Sequence, residues 1–371
     1  MQNGLKKELA LLSLILAGVT YKKKTLSTGL ALTAAGLYYS SLLNDRNFSG
    51  KTVLITGGSR GLGLSLAWNF LDRGASDVTL IARNEKELER AREILIRQFP
   101  EARIFIQVCD VTDGKQLAHT LDQAMINMKK IDILVNNAGA MLVAPFTSTE
   151  LADFESLMKL HLYAVVNATQ LILPYFKQSG GGQILNICSM GGKVAVPHMI
   201  SYDASKFALA GFSQGVAAEL APLNISVTTA YPLPMRTGSP IQAVFKGDHE
   251  KEFKWFQTID NLPLLSIGAD AAAKKILDGL ADKKTEVLLA PVAKIRNIFA
   301  AIFPETFNAF MTFVANRLPK GDSMVRRTGF ESSNEFKKSL LLKPLQAQAE
   351  KSEEMYNQVP SDDADSKLGI N

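Results

Sequence analysis

The chain has 371 residues, 47% hydrophobic and 21% charged, with a net charge of +5. That suits one large globular domain with added segments. The basic excess is modest and its clusters are N-terminal, Lys6-Lys7 and Lys22-Lys23-Lys24, with no basic stripe interleaved with aromatics. This argues against a nucleic-acid partner and fits an anionic membrane surface better.

Two apolar stretches open the chain. Leu9 to Thr20 is about 18 Å long as a helix, too short to span a bilayer. Leu26 to Leu43 is about 27 Å long and just matches a hydrocarbon core, with Tyr38-Tyr39 placed for an interfacial belt. Lys6-Lys7 followed by Leu9–Ala17 also resembles a signal peptide, but no clear Ala-x-Ala site follows. Residues 1–46 are therefore read as a membrane-associating segment, with a core helix as the alternative.

From Asn47 to about Ala290 strands alternate with helices. Candidate strands are Thr52–Thr56, Val78–Ala82, Ile104–Cys109, Ile133–Asn136, Gln183–Ile187, Ser226–Tyr231 and Glu286–Leu289. Between them lie helical stretches at Leu64–Arg73, Glu85–Gln98, Gln116–Lys129, Leu151–Tyr175, Ser201–Leu220 and Ala269–Leu280. This order predicts an α/β fold, a doubly wound parallel (Rossmann) sheet forming a single catalytic domain over 47–290, with its ligand crevice at the carboxyl ends of the strands. Cys109 and Cys188 end apolar runs and read as buried, inert thiols, with no metal-ligand spacing anywhere.

Segment 291–330 is a C-terminal helical extension. Ile295, Ile298, Phe299, Ile302, Phe303, Phe307, Phe310 and Phe313 make one helical face, broken at Pro304, with Lys294, Arg296 and Arg317 outside it. It suits a membrane interface or a helix closing over the core or a partner subunit. Residues 331–371 are polar and read as a disordered tail.

The sharpest local signal is Thr56-Gly57-Gly58-Ser59-Arg60-Gly61-Leu62-Gly63 directly after Val53-Leu54-Ile55. A strand running through a glycine-rich turn into a helix brings backbone N–H groups and a helix N-terminus up to a pyrophosphate. Further on stand Asp110-Val111, Asn136-Asn137-Ala138-Gly139, Ser189, Tyr202-Asp203-Ala204-Ser205-Lys206 and Tyr231-Pro232…Thr237. Each is weak alone. In this order, at strand ends, the set resembles the classical short-chain dehydrogenases/reductases, membrane-associated type, over roughly Lys51 to Leu289.

The resemblance implies a hydride-transferring enzyme acting on a carbonyl or alcohol. Tyr202 and Lys206, four apart, share a helix face. A phenol of ordinary pKa about 10 is a poor base, so the nearby ammonium, and the positive nicotinamide ring when oxidised, are expected to lower it and let Tyr202 exchange a proton with the substrate oxygen. Ser189, thirteen residues earlier, is expected to hydrogen-bond that oxygen. Lys206 is implied to hold the nicotinamide ribose, Asp110 and Val111 to border the adenine, Asn137 the adenosine ribose, with Ala138 and Gly139 also against the cofactor, and Thr237 the carboxamide.

Two positions depart from the family. His161 stands where the family has an asparagine that anchors a proton-relaying water. The imidazole is expected to keep the relay, though the relay being lost and a satisfied helix residue remain alternatives. Leu233 stands where the family has glycine. The second strand ends Leu80-Ile81-Ala82-Arg83 with no carboxylate, so Arg83 and Arg60 together predict NADP(H). The lid region Arg236–Ser266 carries Ile241, Val244, Phe245, Phe253, Trp255 and Phe256. It predicts a lipophilic alcohol or ketone (a keto-lipid, retinoid- or steroid-like molecule) as partner, handled at the cytoplasmic face of a membrane. Packing of those aromatics on the core or in a homo-oligomer is the alternative, and a membrane-tethered NADP-binding sensor or scaffold with reduced turnover is the competing function.

Overall fold

The computed structural model describes residues 3–19, 27, 28, 30–36, 46–262, 266–339 and 342–358. Its centre is a parallel sheet of β1 (Thr52–Thr56), β2 (Asp77–Ala82), β3 (Arg103–Val108), β4 (Ile133–Asn136), β5 (Gly182–Ile187), β6 (Ile225–Tyr231) and β7 (Glu286–Leu288). Their order across the sheet is β7-β6-β5-β4-β1-β2-β3. Every residue of β1, β4 and β6 is buried. These runs of Val, Ile, Leu and Thr are covered on both faces, as a parallel sheet requires.

Two apolar layers do the covering. One face packs on helices Gly61–Asp72, Glu85–Gln98 and Ala269–Ala281 through Phe70, Leu88 and Ile276, the other on Gly114–Met128 and Ala164–Gln178 through Leu121 and Ile172. Helix starts follow their caps: Asn84 accepts from the Glu87 amide, and Asp113 from the amides of Lys115 and Gln116. The expected doubly wound α/β fold is present, and its strands lie within a residue or so of the expected ones. The strand order reverses between β1 and β4, which opens the crevice above their carboxyl ends.

The expected helix over Leu151–Tyr175 is three pieces. Leu151–Met158 and Ala164–Gln178 flank a π-helical turn at Lys159–Tyr163, which holds His161. Such a bulge inserts a residue and re-aims a side chain, and no simple periodicity announces it.

The lid is tied down by the C-terminal segment. Val244–Phe245 pairs with Leu142–Val143 on one side and antiparallel with Arg327–Thr328 on the other. Beside it the buried Lys246 pairs with Asp153 at 2.7 Å and Glu150 at 3.1 Å. The disordered tail expected from residue 331 is corrected over its described part. Helices occupy Asn334–Lys338 and Lys343–Met355, and Phe336 packs on Phe253. Their anchors are isolated apolar residues such as Phe336, which composition averages away. Residues 359–371 lie outside the described residues.

Helix Asn3–Val19 leaves Leu11, Leu12, Leu14 and Ile15 more than half exposed. Much of the proposed span Leu26–Leu43 lies outside the described residues. No described helix is long and apolar enough to cross a membrane by itself, but Ala293–Ile302 and Pro304–Ala315 form an apolar pair bent by 115°. The bend falls at the expected Pro304, so the apolar stripe becomes two exposed faces rather than one.

Candidate active site

A cavity of about 2280 Å³ lies over the carboxyl ends of the central strands. Every residue expected at the site lines it except Gly63. A Cβ on Gly63 would stand 2.0 Å from the Gly57 carbonyl oxygen, so this glycine lets the helix close against the turn from behind. Gly57 has φ +64, and a Cβ there would meet the Ala138 Cα at 2.8 Å. The turn is thus built by close backbone approach, and Asn137 fastens it: its carboxamide donates to the carbonyls of Thr56 (3.1 Å) and Gly57 (2.9 Å). The donors expected to serve an adenosine ribose are spent on positioning the turn. Asp110 makes a tight loop by accepting from the Thr112 amide and hydroxyl.

The 2′-phosphate end differs from expectation. Arg83 is exposed, while the Arg60 guanidinium pairs with Glu87 at 2.8 Å, and Ser59 donates to the same carboxylate. Glu87 was missed because it lies not at the end of β2 but one helical turn further on. The cap pattern Asn84-x-x-Glu87 was the signal that would have placed it there.

Ser189 follows β5, and Tyr202 and Lys206 rise from helix Ile200–Leu220 beside it. The Ser189 side chain stands close enough to the Tyr202 phenol to act on its charge, and its hydroxyl accepts from the Gly191 amide at 3.0 Å. The Lys206 ammonium donates to the Ile187 carbonyl at 3.1 Å and sits 5.7 Å from the centre of the Tyr202 ring. The expectation that Lys206 acidifies the phenol is corrected. Burial pushes the Tyr202 phenol above its ordinary value, against a smaller opposing effect of Ser189. Burial also lowers Lys206 to about 8. Desolvation outweighs attraction because the ammonium is aimed at a strand carbonyl.

His161 is buried and fully engaged. The Ala140 amide donates to Nε2 at 3.2 Å, and Nδ1 lies 2.7 Å from the Ser205 hydroxyl, which itself donates to the Tyr202 carbonyl at 2.6 Å. The bond network therefore assigns the proton to Nδ1. Burial, then repulsion from Lys206, holds the imidazole well below its ordinary pKa, so it is neutral. The ring has no spare nitrogen for the expected relay; it ties the loop after β4 to the helix of Tyr202. Ser205 lay inside the Tyr-x-x-x-Lys motif without a role, because its partner is distant in sequence.

The remaining walls divide the lid aromatics. Phe245 and Phe253 pack together in the core, whereas Trp255 and Phe256 face the cavity. Thr237 is buried and accepts from the Ser239 amide. Leu233 packs against the apolar cluster that includes Met190, Leu209 and Tyr231 and still borders the cavity. Cys109 and Cys188 are free and buried.

Comparison with known proteins agrees with this geometry. The family described as short chain dehydrogenase matches residues 51–244. A fatty acyl-CoA reductase of Acinetobacter baylyi is 30% identical over 74% of this chain and 87% of its own length. A dehydrogenase/reductase SDR family protein 7-like of Anopheles gambiae is 32% identical over 67% of this chain and 78% of its own. A solved short-chain dehydrogenase from Streptomyces avermitilis superposes with a TM-score of 0.60 at 28% identity, over 72% of this chain and 97% of that one.

Proposed function

This chain belongs to the short-chain dehydrogenase/reductase family, and on that premise we propose that it is an NADP(H)-dependent oxidoreductase for a carbonyl or alcohol on a lipophilic molecule. The observation that carries the reading is the grouping of Ser189, Tyr202 and Lys206 in one cavity with the Gly57–Gly63 turn. The turn fits a dinucleotide: its backbone lies where any Cβ would collide, and a helix N-terminus opens beside it. Residues Gly57 to Leu62, Asp110 and Val111 would hold the nucleotide, Lys206 and Thr237 its nicotinamide half, and Arg83 with Arg60 the 2′-phosphate.

A bound nicotinamide would supply or accept the hydride. The chain's own part is the proton and the orientation of the substrate oxygen. Tyr202 as folded is a neutral phenol, the state that gives a proton to a carbonyl oxygen, so the reading favours reduction. Ser189, beside the phenol, would hold the same oxygen. Lys206, charged at neutral pH, would steady the phenolate left behind.

Trp255, Phe256, Phe310 and Val314 give the cavity apolar walls suited to a lipophilic substrate, and one relative is named for the reduction of fatty acyl-CoA. The exposed apolar faces of Asn3–Val19 and of the bent pair at Pro304 suit a membrane surface, and we take it to be the cytoplasmic one because NADPH is available to such an enzyme there. Purified protein should oxidise NADPH with a hydrophobic ketone and float with anionic vesicles. Tyr202→Phe should cut turnover by about 10²- to 10⁴-fold; turnover surviving that change would remove the mechanism. A second reading, an NADP-binding scaffold with reduced turnover, draws on the fully bonded His161. It expects NADPH binding without turnover and a gain of activity in His161→Asn.

A further inference from the structure

Helix Pro291–Ile302 follows β7 and sends Ala293 and Arg296 into the cavity wall. Arg296 is half-buried, yet its Nε and Nη2 atoms are shut off from solvent and bond nothing in the chain. A guanidinium stays cationic at neutral pH, and buried donors left unmatched carry an uncompensated desolvation cost that a ligand would relieve. The opposite charge beside it is Asp203, next to Tyr202. That carboxylate spends Oδ2 on the Val196 amide at 2.7 Å, while its buried Oδ1 also bonds nothing. Asp203 and Arg296 feel each other's charge without closing into an ion pair. Around them the walls include Ala290, Phe310 and Val314.

A lone cation with free donors in an apolar wall is what an amphiphilic anion needs. The nucleotide's phosphates do not fill this place. They belong to the turn after β1, which is separated from β7 by three strands, roughly 19 Å at about 4.8 Å per step. We propose that Arg296 anchors an oxyanion carried by the substrate itself, so that the preferred substrates are amphiphilic carbonyl compounds bearing a carboxylate or phosphate rather than neutral lipids. The proposal rests on reading the cavity as the substrate site. Asp203 does not oppose it strongly: burial raises that carboxyl to about 7, so near neutrality its negative charge is reduced.

The test is direct binding to the full chain without cofactor, using dodecanoate, dodecyl phosphate and dodecanol as probes in calorimetric titrations. Both anions should bind about tenfold tighter than the alcohol. The preference should vanish in Arg296→Gln, survive in part in Arg296→Lys, and shrink with added salt. The ratio of carboxylate to phosphate affinity identifies which group the site takes. Equal affinity for all three probes, or a preference that persists in a folded Arg296→Gln, overturns the proposal. The oxidoreductase reading is scored by NADPH turnover in the parent and in Tyr202→Phe, whereas these titrations contain no cofactor and compare probes in the parent and the Arg296 variants, so its failure is distinguishable from failure of the anchor.

Discussion

The amide of Gly61 donates to the carbonyl of Tyr356 at 2.9 Å. Gly61 is the first residue of the helix that leaves the glycine turn, so this N–H is one of those a pyrophosphate would use. The next residue, Asn357, donates to the carbonyls of Ser59 and Glu87 and accepts from Arg90, and Gln358 lines the cavity. The C-terminal segment thus sits on the seat proposed for the nucleotide.

Asn357→Gly should loosen that segment. Asn357 has φ 57, which glycine adopts freely, so the change removes the side-chain bonds without straining the backbone. NADPH should bind about fivefold tighter, from the roughly 1 kcal/mol net worth of one hydrogen bond that no longer competes. Fluorescence titration of NADPH measures it; unchanged or weaker binding means that the segment does not compete.

Glu87→Gln should also strengthen NADPH binding. It frees Arg60 from its ion pair and removes a negative charge beside the expected 2′-phosphate. A part-buried pair of this kind sets a scale of about 1 kcal/mol, so a several-fold gain for NADPH and little for NADH is expected. Arg83→Ala should do the reverse. The ratio of the two cofactors' dissociation constants is the readout, and a ratio unmoved by both changes would sink the NADP(H) assignment.

Lowering the pH should destabilise the fold through His161. Its folded pKa lies well below the ordinary value of 6.5, so the unfolded chain takes up the proton first. Stability due to this group is full above 6.5 and is lost as the pH falls toward the folded value. In His161→Asn, which cannot titrate, the urea midpoint should fall less between pH 6.5 and 5 than in the parent. Parallel pH profiles would show the ring is not held neutral.

Asp203 works with the opposite sign. Burial raises its carboxyl from 3.8 to about 7, so its contribution is full below 3.8 and lost as the pH rises through 7. Asp203→Asn keeps an acceptor for the Val196 amide and removes the charge. It should gain stability relative to the parent above pH 7, by on the order of 4 kcal/mol at most. Equal unfolding midpoints at pH 8 would contradict this.

The sheet was legible because a strand buried on both faces must be a short apolar run, and the seven runs carry that pattern locally. The glycine turn was legible for the same kind of reason. Gly57 and Gly63 mark places where a Cβ has no room, and that constraint shows in the residue itself. The ordering of residues 334–358 was not legible, because it depends on isolated contacts such as Phe336 on Phe253 and Asn357 on Ser59. No local pattern records those.

By itself the sequence determined the doubly wound sheet, the crevice over its strand ends, and the shared helix face of Tyr202 and Lys206, while the place of Ser189 beside them was what the family resemblance implied. Periodicity and backbone sterics act between near neighbours and are written along the chain. Only the tertiary structure decided the electrostatics. Whether Lys206 acidifies Tyr202, whether Arg60 is free, and whether His161 has a nitrogen to spare each turn on burial and on partners such as Ile187, Glu87 and Ser205. Desolvation and hydrogen bonding depend on distance in space, which residue spacing does not encode.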